Sequence, residues 1–138
     1  MARPVKSSPP ETVPPTLAQI DGMARQALTT IPPALARHVA TVAIRVADFP
    51  DEETEAEMEL ESPFDLLGLY RGTPLPGKSV MDPRPAIDMI FLYRRPILDY
   101  WCETGETLEH VVRHVLIHEI GHHFGFSDAD MARLERDG

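Results

Sequence analysis

The sequence predicts an α+β domain, and three observations predict it. Apolar residues recur at helical spacing through residues 16–31, and a second, longer helical pattern fills residues 105–124. Between and around them, residues 39–47, 66–72 and 87–93 are short runs of strand length, rich in β-branched or other apolar residues. A chain of 138 residues holds one domain with one sizeable core. Residues 1–15 carry five prolines and almost no apolar mass, so they read as a disordered arm, and the single domain covers residues 16–138.

Thr16 opens the first helix, with Gln19 at the reciprocal capping position and Leu17, Ile20, Met23, Ala24, Ala27, Leu28 and Ile31 on one face. Pro32-Pro33 ends it. The strand at 39–47 follows, weakened by its alanines. From Asp51 to Glu61, seven of eleven residues are acidic and follow Pro50; they read as a solvated helix start favoured by its own dipole. Residues 66–72 form a short strand bounded by glycines, and residues 73–85, with four prolines, form a loop. The run from Ile87 to Tyr93 is apolar at nearly every position, so it is expected to be a strand buried on both faces, closed by Pro96. Residues 97–102 suggest a short helical turn bringing Tyr100 and Trp101 to the core. Thr104 is placed to cap the long helix, Gly125 to end it in the left-handed conformation, and Ser127 with Asp130 to cap a last helix over 128–136.

Thirteen Lys and Arg against 22 Asp and Glu give a net charge of −9, which opposes binding to nucleic-acid phosphates or anionic membranes. Cys102 is the only cysteine, so no intrachain disulfide forms and a reducing compartment is the simpler reading. No apolar run follows Arg3 and Lys6 to make a secretory signal, and none approaches the roughly 20 residues that span a bilayer. The expected location is the cytoplasm; the oligomeric state is left open.

One stretch carries chemistry. Residues 115–128 contain His118-Glu119-x-x-His122, followed by Gly125 and Asp128. On a helix, His118 and His122 lie one above the other, about 40° apart, and two imidazoles so placed can grip one metal ion. Glu119 is turned about 100° from His118, which lets its carboxylate reach a water at the metal instead of the metal itself. The first half of this helix exposes Glu106, Glu109, His110 and Arg113, whereas the second half is apolar around most of its circumference. Two imidazoles and a carboxylate entering a core are costly unless a metal and its water satisfy them. Gly125 permits the chain to turn and bring Asp128 back beneath the histidines, completing three ligands with a fourth position open, the arrangement of a catalytic zinc. By chance, His-Glu-x-x-His would appear in roughly one such sequence in fifty, and the added Gly and Asp lower that to the order of one in ten thousand. The competing reading of Asp128 is a residue of the last helix's first turn, where the dipole favours it.

The other histidines rank lower. His110, His114, His118 and His122 are a series at four-residue spacing, so His114 and His118 compete geometrically for the metal, but that pair lacks a matching Glu and the Gly-x-x-Asp return. His123 points about 100° away from His122 and reads as a supporting or core residue, and His38 as structural.

The segment resembles the zincin metallopeptidases in their His-Glu-x-x-His-x-x-Gly-x-x-Asp form, and the chain is similar to a small bacterial zincin-like family with a minimal zincin fold. The resemblance runs through residues 115–128, 67–72 and 90–96, and so covers most of residues 16–135. It implies His118, His122 and Asp128 as zinc ligands, Glu119 as general base, and a small mixed sheet packed against the active-site helix. It departs from larger metzincins in leaving no room for a methionine turn beneath the metal, so Met131 is expected in the core of the last helix. The leading expectation is a zinc-dependent hydrolase, a metallopeptidase acting on a peptide or protein, with Tyr70, Tyr93 and Arg71 as candidates to stabilise the oxyanion. The alternative is a metal-binding interaction or regulatory protein without peptidase activity. A third class, a metal-dependent ribonuclease, is opposed by Glu119, Asp128 and the acidic surface.

Overall fold

The computed structural model describes residues 13–39, 41–72 and 88–137. The proline-rich arm therefore lies almost wholly outside the described residues, as does the loop expected at 73–85. The architecture is α+β, with six α-helices and a three-stranded mixed sheet among the described residues. In chain order the elements are α1 (Leu17–Leu28), α2 (Pro33–Ala36), β1 (Ala43–Ala47), α3 (Glu52–Glu57), a 3-10 turn (Pro63–Asp65), β2 (Gly68–Arg71), β3 (Met89–Tyr93), α4 (Arg94–Thr104), α5 (Leu108–His123) and α6 (Asp128–Asp137).

Strand β3 is central. It runs parallel to β1, pairing Ile44 with Ile90 and Val46 with Leu92, and antiparallel to β2, pairing Tyr70 with Ile90 and Gly68 with Leu92. Ile90 and Leu92 are fully buried in the core on the side of α5, while Met89 and Phe91 on the other face are only half-buried. Burial of the second face is partial: Met89 and Phe91 stay half-exposed there, and Tyr93 at the strand end is buried. The strand at 39–47 is likewise shorter than expected. Val39 belongs to a turn, with its carbonyl accepting from Val42 N–H, and pairing with β3 begins only at Ala43.

Helix α1 has the expected reciprocal cap, Thr16 and Gln19 each bonding the other's backbone N–H. It stops at Leu28, before the diproline, because the hydroxyls of Thr29 and Thr30 donate to the carbonyls of Gln26 and Ala27. Pro33 then starts α2, where a missing N–H costs nothing. Asp51 caps α3 by accepting from Thr54 N–H at 2.8 Å, and these hydrogen bonds hold its carboxyl below the usual range.

The largest departure lies between β3 and the long helix. Pro96 does not close a strand; it sits in the first turn of an eleven-residue helix, α4, which ends at Gly105 with φ of 74°. Helix α5 consequently starts later, capped by Thr107 and not Thr104, with the Thr107 hydroxyl accepting from His110 N–H at 3.1 Å. A glycine that ends one helix and a threonine two residues on that caps the next read, in sequence, as one continuous helix start. Tyr100 and Trp101 are partly buried against the core as expected.

Helix α5 packs against α1, β2, α4 and α6. Leu108, Val111, Val112, Val115, Leu116, Ile117, Ile120 and Gly121 are all buried, leaving a polar seam along the histidines. Met131 of α6 is fully buried against Gly121, and a Cβ at position 121 would overlap its side chain. Gly121→Ala is therefore expected to cost about 1–3 kcal/mol despite alanine's better helix propensity, and Met131→Ala about 2–5 kcal/mol. In urea unfolding the double variant should cost clearly less than the two single losses together, because the smaller side chain admits the new methyl. Simple additivity would show that the two residues do not meet.

Candidate metal centre

Helix α5 holds its histidines in register through 3.6-residue periodicity alone. The His114 and His118 rings are 4.1 Å apart between centroids, and those of His118 and His122 are 5.8 Å apart and nearly perpendicular. At the end of α5 the chain reverses on Gly125, whose φ is 83°. Phe126 N–H reaches the Gly121 carbonyl at 2.8 Å and Gly125 N–H the His122 carbonyl at 3.2 Å, a left-handed cap in which both bonds form. Ser127 and Asp130 then cap α6 as expected, Asp130 N–H donating to the Ser127 hydroxyl at 3.0 Å.

This reversal brings Asp128 to the histidines. One ligand atom each from His118, His122 and Asp128 lies within 4.8 Å of the other two, and His122 Nε2 is 3.5 Å from Asp128 Oδ1. Ligands about 2.0–2.1 Å from a tetrahedral zinc stand about 3.3 Å apart, so this spacing suits a shared ion. His122 and Asp128 are exposed, at 57% and 87%, while His118 is 27% exposed. Burial, with help from the neighbouring His114 and against the pull of Glu135, pushes the His118 pKa below its ordinary value, which favours the uncharged ring.

Glu119 is on the same turn but faces the sheet. Burial pushes its carboxyl above the usual carboxylate range, while His122 and a hydrogen bond from the Tyr70 backbone N–H pull in the other direction. The Tyr70 ring stacks on His123 at 4.0 Å between centroids and meets Phe124 edge-on, and Phe124 in turn stacks on His38 at 4.5 Å. His123 and His38 thus serve as packing partners that tie the end of α5 to β2 and to the segment after α2. His123 lies so close to Gly72 that a Cβ there would overlap its ring.

A family model described as zincin-like metallopeptidase matches residues 39–137, from the approach to β1 through α6. The chain belongs to that family. No curated protein gives a significant match. Membership in the zincin-like metallopeptidases suggests a zinc-dependent hydrolase and implies a metal, typically zinc. Two imidazoles and a carboxylate whose ligand atoms lie within 4.8 Å of one another, with His122 and Asp128 3.5 Å apart, fit that ion. No helix among the described residues of this zincin-like chain is long and apolar enough to cross a membrane.

The three oxyanion candidates are engaged elsewhere. The Tyr70 hydroxyl donates to Asp88 at 2.6 Å, the Arg71 guanidinium pairs with Glu57, and Tyr93 is buried. A carboxylate absent from the sequence motif, by contrast, comes to the histidine seam. Glu135 Oε1 is 2.9 Å from His114 Nδ1 and its Oε2 is 3.1 Å from His118 Nε2. The signal for it was periodicity: Met131, Leu134 and Glu135 share one face of α6 at i, i+3 and i+4, so Glu135 occupies a position on an inward stripe.

Because the folded-state pKa of Glu119 lies above its ordinary 4.5, its contribution to stability is complete below that pH and is lost as pH rises through the folded value. Metal-free Glu119→Gln is therefore expected to melt a few degrees above metal-free wild type at pH 7, with the gap closing as the pH falls towards 4.5. Calorimetric scans across pH read this directly, and a gap that widens on acidification would reverse the assignment.

Proposed function

We propose that this zincin-like chain is a zinc-dependent peptidase in which His118, His122 and Asp128 hold the ion and Glu119 is the general base. One juxtaposition carries the reading: three donor atoms of catalytic-zinc type converge within 4.8 Å, beside a carboxylate on the same helix that is turned out of the ligand set. A zinc ion bound there supplies Lewis-acid polarisation of the scissile carbonyl and acidifies a water towards neutrality. Glu119 would take a proton from the attacking water and pass it to the leaving amine. Its burial suits it to the task, since a carboxylate with a raised pKa is the stronger base near neutral pH. The Tyr70 backbone N–H holds the carboxylate, and the Tyr70–His123 stack keeps that strand against the helix end. The lowered pKa of His118 favours the uncharged imidazole that would bind such an ion.

The second reading is a metal-binding interaction or regulatory protein that binds zinc without turnover. It is favoured by the engagement of the Tyr70 hydroxyl with Asp88, the pairing of Arg71 with Glu57 and the burial of Tyr93, which leave no assigned partner for the oxyanion.

One experiment separates the two. Purified protein is expected to carry zinc and to cleave members of a diverse peptide library, and a chelator should abolish cleavage until zinc is restored. Glu119→Gln should keep its zinc and lose about 10²–10⁴-fold in turnover. Undiminished cleavage by Glu119→Gln would sink the peptidase mechanism, and zinc without cleavage of any library member would select the second reading.

A further inference from the structure

Helix α5 repeats its histidine step, and the repeat has its own carboxylate. His114 and His118 have the same four-residue spacing as His118 and His122, and Glu135 stands to them as Asp128 stands to the other pair. We propose that His114, His118 and Glu135 form a second station for a zinc-type divalent cation, occupied in exchange with the His118–His122–Asp128 station and not alongside it.

The donor set is two imidazoles and one glutamate, a combination that holds catalytic zinc with a fourth position open. One ligand atom from each lies within 4.8 Å of the other two, and the observed 2.9 Å and 3.1 Å contacts need only a few tenths of an ångström to open to tetrahedral spacing. Glu135 is 15% exposed, against 87% for Asp128, so the inner station is the drier of the two. Both oxygens of Glu135 are aimed at imidazole nitrogens, and its partners among the described residues are those two histidines. Met131, one turn earlier on α6 and fully buried, anchors that face against α5 and so holds the carboxylate over the seam.

Exclusion follows from His118, which belongs to both groups. A neutral imidazole has one nitrogen lone pair, so it serves one ion at a time. The stations also differ in what they face. By helical rotation Glu119 is about 60° from His122 but about 140° from His114, so an ion at the inner station is turned away from it. Zinc held there would be bound but silent, a consequence that rests on Glu119 being the base.

The test reads metal and not hydrolysis, so it gives an answer whether or not the chain is a peptidase. His122→Ala/Asp128→Ala removes two exposed side chains and leaves the inner station intact; its fold is checked by circular dichroism. After equilibration with zinc and gel filtration, wild type and this variant are each expected to retain one ion per chain. Cobalt substitution should give both variant and wild type visible bands, in different positions. Adding Glu135→Gln to the double variant should take the bound ion from one to none. A folded double variant that retains no zinc, or keeps its zinc when Glu135→Gln is added, overturns the inner station. Two ions per wild-type chain overturns the exchange.

Discussion

Everything at the histidine seam depends on how closely α6 lies along α5. That approach is set by a missing side chain: at Gly121 the backbone of α5 is bare, and Met131 fills the space a Cβ would take. Gly125 makes the approach possible by reversing the chain in a left-handed conformation two residues past the helix end. Together they return ten residues of helix over the seam, with Asp128 at one end and Glu135 near the other. Without this contact the histidines would be an exposed ladder with no carboxylates to complete it.

The burial of α5 imposes the second constraint. A helix packed against α1, α4, α6 and β2 has apolar residues around most of its circumference, and every polar group on it must find a partner. The structure meets this requirement in different ways along the helix. His114 and His118 meet Glu135, Glu119 meets a backbone N–H of β2, His122 meets Asp128, and His123 stacks on Tyr70. The same burial lowers the pKa of His118 and raises that of Glu119. Both shifts are one effect of packing: desolvation disfavours the charged form of each group.

The sheet has a supporting part in this arrangement. Strand β3, paired on both sides, supplies Ile90 and Leu92 to the core beneath α5. Strand β2 lies at the edge, where Gly68 lets Val115 come close and Tyr70 reaches the end of the helix. Arg94, at the start of α4, pairs with Asp48 and donates to the carbonyl of Pro15, so the approach to α1 is pinned to the far end of β3.

Local rules alone determined a good deal. The reciprocal cap at Thr16, the left-handed turn at Gly125, the Ser127–Asp130 cap and the alignment of His118 with His122 each depend on residues within four or five positions, and helical geometry or capping chemistry suffices to place them. Met131 was legible as core because too few residues follow Asp128 for a methionine turn, and it is fully buried. The extent of β1 and the partial burial of the second face of β3 depended on what pairs with the strand and what covers it, neither of which is local. The break at Gly105 was hidden because Thr104 and Thr107 are equally good caps, and the packing of α4 and α5 as separate helices chose between them. Asp128 and Glu135 mark the boundary most clearly. The first could be named from the motif, yet its return to the histidines needed the reversal at Gly125; the second had no motif, and only the docking of α6 on α5 brought it there. A carboxylate seventeen residues from its histidine is placed by packing between helices, which periodicity within one helix does not specify.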